Sequence, residues 1–187
     1  MNKKNNQRTR LSKMLLKDAL LDLLSETGSI EIISVRTLCE RAELNRSTFY
    51  AHYTQPQDLL NEIEDELLEN AALHLEKIGR ANSMSAGEFL LSFLQFIRKN
   101  DKEFRILLVD AADADFRSKF MNIATGQIGD HFDFSISSGE EQYIYSYILN
   151  GSSAVVIQWI RSGYSVDEKQ LVHLLYRMNE HLLKGVL

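Results

Sequence analysis

The sequence predicts an all-α protein: a three-helix helix-turn-helix domain over residues 1–68, then a helical-bundle body over residues 69–187. Three observations predict it. The 187 residues include one proline and nine glycines, too few breakers for a strand-and-turn protein. Apolar residues recur at helical spacing along most of the chain. Two short helical segments flank a tight break at Glu43–Leu44, the dimensions of a helix-turn-helix.

Leu11, Leu15, Ala19, Leu20, Leu23 and Leu24 mark a first amphipathic helix over about 10–26, which Gly28 ends as a C-terminal cap. Ser34 is the natural N-cap of a second helix carrying Val35, Leu38, Cys39 and Ala42. Asn45 can cap a third, over 46–52, with Phe49 facing inward. Pro56 opens a fourth that Leu59, Leu60, Ile63, Leu67, Ala71, Leu75 and Ile78 carry to Gly79. Its length suits a link between head and body. Residues 79–85 read as a loop. Helices follow over about 86–99, 101–111 and 113–125; residues 126–139 read as irregular; two apolar helices over about 140–162 and 165–184 close the chain.

Charge separates the two parts. The net charge is −5, yet residues 1–53 hold nine Lys/Arg against six Asp/Glu. A basic front on an acidic body suits a head that binds a polyanion. No carboxylate lies between Asn45 and Tyr53. A helix that meets DNA needs short donors near its start, one long cation, and hydroxyls that reach phosphates. Asn45, Arg46, Ser47 and Thr48 supply the first two; Tyr50, His52 and Tyr53 supply the third.

The stretch "LLSETGSIEIISVRTLCERAELNRSTFYAHYTQPQDLL" resembles the N-terminal domain of the TetR family of bacterial transcription regulators. The resemblance runs without a gap over residues 9–68. It implies that Arg36 and Thr37 lie at the start of the supporting helix, within reach of a base or phosphate. It implies that Arg46 and Ser47 read sequence, that Thr48, Tyr50 and His52 grip the backbone, and that Tyr53 packs beneath the recognition helix. Two positions depart from the family. Pro56 replaces a lysine that meets a phosphate, so that contact is lost or taken over by Gln55, Gln57 or a backbone amide. Lys3, Lys4, Arg8 and Arg10 are the cations that could compensate. Glu43 stands where the family has a turn glycine. Further on, "YIYSYILNGSSAVVIQWIRSGYSVDEKQLVHLL" is similar to a small-bodied branch that includes regulators of dihydroxyacetone kinase genes.

In the body, Phe89, Phe93, Phe96, Phe104, Leu107 and Phe120 either line a ligand cavity or make up plain core. Gly151, Ser153 and Ala154 are small enough for a close helix crossing. With Trp159, Leu171, Leu175 and Met178 they are the expected two-fold interface. The lone Cys39 reads as core, and no histidine pair has metal-ligand spacing, so no metal or cofactor is expected. No catalytic constellation stands out, which argues against an enzyme. The start is polar and basic without a signal-peptide core, and no run reaches about 18 apolar residues, so a cytoplasmic, membrane-free protein is expected. The expected function is a dimeric repressor on palindromic double-stranded DNA, modulated by a small apolar ligand or a partner protein. The competing reading is a co-regulator that keeps the fold but acts mainly through a partner protein.

Overall fold

The computed structural model describes residues 3–79, 85–111, 113–132, 139 and 141–184. Among them there is no strand. The helices are α1 (Lys3–Thr27), α2 (Val35–Arg41), α3 (Arg46–Tyr50), α4 (Pro56–Gly79), α5 (Ala86–Lys99), α6 (Asp101–Arg105), α7 (Ala114–Phe132), α8 (Glu141–Arg161) and α9 (Glu168–Lys184). A 3-10 turn spans Ile30–Ile32, and α6 runs on as a π-helical turn, Ile106–Asp110.

Sequence signals set most helix ends. Gly28 takes φ +71 and donates its N–H to the Leu24 carbonyl at 2.8 Å. The Ser34 side chain accepts from the Thr37 N–H and starts α2. Residues 80–84, within the expected loop, lie outside the described residues, and α5 starts at a reciprocal cap between Ser85 and Glu88. Other ends differ from expectation. α1 begins at Lys3, not near residue 10, because polar residues without a breaker extend a helix as readily as apolar ones. α3 stops at Tyr50, not at 52. α7 runs to Phe132 through Gly126, so the first part of the expected irregular segment is helical, because glycine costs a helix only about 1 kcal/mol; residues 133–138 lie outside the described residues. α9 starts at Glu168, because Asp167 and Gln170 cap it reciprocally.

The core of the head is Leu16, Leu20, Leu24, Leu38, Phe49 and Leu59, each almost fully buried. Cys39 is part of it, as expected. α4 continues unbroken past residue 68 and lies along α7 in the body. The π-helical turn packs against α1. Lys102 pairs with Asp22 at 2.9 Å, and Ser25 donates to Asp110 at 3.4 Å. A Cβ on Gly28 would come within 3.7 Å of the Asp110 carbonyl.

Glu64 is the one charged side chain in the α4 core stripe, 5% exposed. Its Oε1 has no hydrogen-bond partner among the described residues. Burial first, then the Asp113 carboxylate at the start of α7, push its pKa up to about 7; Asp65 and Asp115 add to this and Lys119 opposes it. The folded protein therefore holds a proton that the unfolded chain releases near the usual carboxylate pKa. This contribution to stability is full below about pH 4.5 and is lost as pH rises to about 7, for a total of about 3 kcal/mol. Glu64→Gln should flatten this part of the pH profile and make the protein more stable than wild type at pH 8. Urea unfolding at pH 5 and pH 8 checks it; equal slopes in both proteins would refute it.

The turn between α2 and α3 is a Schellman motif. Leu44 N–H donates to the Cys39 carbonyl and Glu43 N–H to the Glu40 carbonyl, at 3.0 and 3.3 Å. That geometry puts Glu43 in the left-handed region at φ 54, so the family glycine position keeps its conformation while carrying a side chain. Left-handed backbone costs a side chain roughly 1–2 kcal/mol, and glycine gives back 0.5–1 in chain entropy. Glu43→Gly should therefore raise stability by up to about 1 kcal/mol, read as a higher denaturant midpoint with unchanged slope.

Candidate nucleic-acid interface and body cavity

α3 is short and is held from below. Phe49 is fully buried, and Tyr53 is buried beside it at a ring distance of 5.6 Å. The Tyr53 hydroxyl donates to Glu62 on α4 at 3.2 Å, and Lys13 on α1 lies over its ring at 5.3 Å. Glu62 also accepts from Lys13 and Lys17, each at 2.8 Å. Burial alone would raise the Glu62 pKa; the two lysines outweigh it and hold the carboxyl at about 2. Burial, then the Glu62 charge, push the Tyr53 phenol well above its usual range. This cluster fixes the end of α3 against α1 and α4. It also corrects one expectation: the Tyr53 hydroxyl is spent inside the head and does not face a phosphate.

The other expected contact residues lie on the surface. Arg36, Thr37, Asn45, Arg46, Ser47 and Tyr50 are exposed, and Thr48 and His52 are half-buried. Asn45 has the backbone of an N-cap but makes no side-chain capping bond, so its amide is not used by the helix. Arg46 has no ion pair among the described residues. Arg36 does: its Nε meets Glu40 at 2.8 Å. A phosphate approaching Arg36 would compete with that carboxylate, which holds it only weakly because the pair is exposed.

The start of α4 answers the question raised by Pro56. Asp58 accepts from the backbone N–H of Thr54 at 2.8 Å, from that of Gln55 at 3.2 Å, and from the Thr54 hydroxyl. Gln55 Nε2 also donates to Asp58, and Gln57 Nε2 donates to Asn61. Both glutamines and the Gln55 amide are therefore engaged, and a carboxylate stands near the place of the family lysine. Of the compensating cations, Arg8 and Arg10 are exposed on the first turns of α1, so the expected arm is helical from Lys3.

In the body, a cavity of about 190 Å³ lies between α5, α7, α8 and α9. Phe89, Phe93 and Phe120 line it, as expected. Phe96, Phe104 and Leu107 do not. Phe104 and Leu107 are fully buried core, and Phe96 stacks on His74 at 4.8 Å. Periodicity marked the buried face but could not separate cavity wall from solid core. Sequence reasoning missed the α8 wall: Tyr145, Leu149 and Ser152. The signal available was the continuous apolar spacing of α8 next to its small residues.

The expected two-fold interface is also divided. Trp159, Leu171 and Leu175 are at most 3% exposed within the single chain, so they cannot form a free face between subunits. Trp159 Nε1 donates to the Val166 carbonyl at 2.8 Å, and its ring meets Tyr164 edge-on at 4.6 Å. Ser153 is half-buried at the cavity. Gly151, Ala154 and Met178 are exposed. With Tyr143 and Tyr147 at 73% and 67% exposure, Gly151 and Ala154 form one outward stripe along α8; Leu174 joins Met178 on α9.

A sequence profile of TetR-type regulators, described as a transcriptional regulator C-terminal region, matches residues 85–181, more than half of the chain. The chain belongs to the TetR family of transcriptional regulators. It is thus a member of a DNA-binding regulator family. Solved structures agree on the fold. A TetR transcriptional regulator from Streptococcus agalactiae 2603V is similar at TM-score 0.71 and 21% identity, over 94% of this chain and 97% of that one. The fatty acid degradation regulator FadR from Bacillus halodurans is similar at TM-score 0.65 and 14% identity, over 90% and 94%. The dihydroxyacetone kinase operon activator DhaS is similar at TM-score 0.55 and 20% identity, over 92% and 96%. No curated protein matches the sequence. Among the described residues, no helix of this TetR-family protein is long and apolar enough to cross a membrane.

Proposed function

We propose that the protein is a cytoplasmic homodimer that binds a palindromic operator and represses transcription, and that a ligand in the body cavity changes its DNA affinity. The observation that carries the DNA reading is the exposed, carboxylate-free surface of α3, with Asn45 and Arg46 unengaged at its start. Arg46 reads a base edge, and Ser47, Thr48, Tyr50 and His52 hold phosphates. Arg36 and Thr37 on α2 add a backbone contact once Arg36 leaves Glu40. Ligand control is supported by one continuous set of contacts. Leu108 of the π-helical turn lines the cavity, and Asp110 of the same turn meets Ser25 and Gly28 at the end of α1. π-Helical turns are frequent at functional sites. A displacement of Leu108 would therefore act on the element that carries the head.

The Asp58 carboxylate at the start of α4 gives some support to the competing reading, in which the chain acts through a partner protein. Selecting bound duplexes from a random pool separates the two. A DNA reader enriches a palindrome; a partner-dependent co-regulator enriches nothing by itself. On the selected duplex, Arg46→Ala should cost about 1–3 kcal/mol and relax preference at one position of each half-site. Unchanged affinity and preference would take the base-reading role from Arg46. A promoter fused to a reporter gives the sign of regulation.

A further inference from the structure

The body cavity has an uneven chemistry. Its wall is almost wholly apolar, from Phe89, Phe93 and Phe120 to Leu149 and Val156. Its polar groups are few: the Ser152–Asn179 pair, joined at 3.2 Å, with Ser153 and the Tyr145 and Tyr176 side chains. Burial raises the pKa of both tyrosines, so both are neutral near pH 7. Among the described residues one charged side chain lines the cavity, Arg117 on α7, and no Asp, Glu or His does. Arg117 makes no ion pair among the described residues, whereas Arg98 meets Glu168 and Arg105 meets Asp101.

Resting on the reading that the body takes a ligand, we infer that this ligand is a small amphipathic monocarboxylate: an apolar chain in the cavity, with its carboxylate on Arg117. A guanidinium pairs with a carboxylate through two parallel N–H donors, which a neutral or cationic head group cannot use. Among the described lining residues no acid is present to recruit an amine. Size bounds the chain. A water molecule occupies about 30 Å³ in the liquid, so 190 Å³ corresponds to roughly six such volumes. That fits a straight chain of about six to eight carbons or a single small ring, and leaves no room for a nucleotide.

Titration calorimetry on the full-length protein with hexanoate, hexanol and hexylamine tests the inference. Hexanoate should bind at least about tenfold more tightly than hexanol, the scale of one charge-assisted pair, and hexylamine should not bind. Arg117→Gln, an exposed change that leaves the core intact, should remove the advantage of hexanoate and leave hexanol unaffected. Along butanoate, hexanoate, octanoate and decanoate, affinity should stop rising at about eight carbons. The inference is overturned if hexanol matches hexanoate, if Arg117→Gln changes nothing, or if no probe binds. DNA binding of the same samples is read separately. Hexanoate that binds through Arg117 without changing operator affinity would sink ligand control and keep the ligand class. Operator affinity that Arg117→Gln leaves intact keeps the DNA reading whatever the probes do.

Discussion

Trp159→Ala should destabilise the folded subunit by about 3–5 kcal/mol, the usual cost of emptying a large aromatic site in a packed core. Three losses add together. The indole is 3% exposed, so its whole apolar surface returns to water on unfolding. Its edge-on contact with Tyr164 goes, and with it the brace of the turn that joins α8 to α9. The Val166 carbonyl loses its Nε1 donor. Tyr164 makes the site sensitive. It sits at φ 60, an unfavourable backbone for a tyrosine, held by Trp159, by the Asp101 carboxylate that accepts from its hydroxyl, and by Arg98 and Arg105 at 5.1 and 5.7 Å from its ring. Guanidinium unfolding at two protein concentrations distinguishes this from an interface role. A core residue lowers stability by the same amount at both. If the midpoint holds and only the subunit dissociation constant rises, Trp159 belongs to an interface after all.

The same residue shows where sequence reading stops. Trp159, Leu171 and Leu175 have the spacing of an apolar face, and a sequence shows that a face is buried, not what buries it. α8 has apolar residues on more than one side. One side, with Val156, Trp159 and Ile160, closes the subunit; the other, with Tyr143, Tyr147 and Ala154, remains exposed. Tyr143 and Tyr147 leave little mark in a hydrophobic pattern, because tyrosine counts little there. In the head, local chemistry was easier to read. Ser34, Gly28 and Pro56 act within four residues of themselves, and each sits where its cap or turn preference predicts. The candidate surface on α3 was legible for the same reason: exposed polar residues on a short helix need no long-range partner. Tyr53 was the exception, because its partner Glu62 lies on another helix. Glu64 was invisible in sequence. It interrupts an otherwise apolar stripe, and burial first, then the Asp113 carboxylate at the start of α7, explain its altered acidity.

Ala154→Arg should turn a specific DNA binder into a non-specific one, with operator affinity falling by about a thousandfold or more. A single head offers a modest charge: Arg46 without an ion pair, Arg36 engaged by Glu40, and Asp58 near the family lysine position. A monomer would therefore neutralise few phosphates and bind weakly at physiological salt. Two heads one helical turn apart, about 34–36 Å or a multiple of it, engage both half-sites together. The clamp that holds them needs a free face with room for a close crossing. Ala154 and Gly151 supply one: they are exposed, and a Cβ added to Gly151 would meet nothing within 4 Å. The flanking Tyr143 and Tyr147 rings, with Leu174 and Met178 on α9, provide apolar surface to bury. An arginine at position 154 would put a long charged side chain into that crossing without touching the subunit core, so the variant should fold and stay helical. Sedimentation, circular dichroism and fluorescence anisotropy on the operator read the three consequences together. A helical variant that remains dimeric and still binds the operator removes this crossing. A monomeric variant that binds as tightly as wild type removes the requirement for two heads.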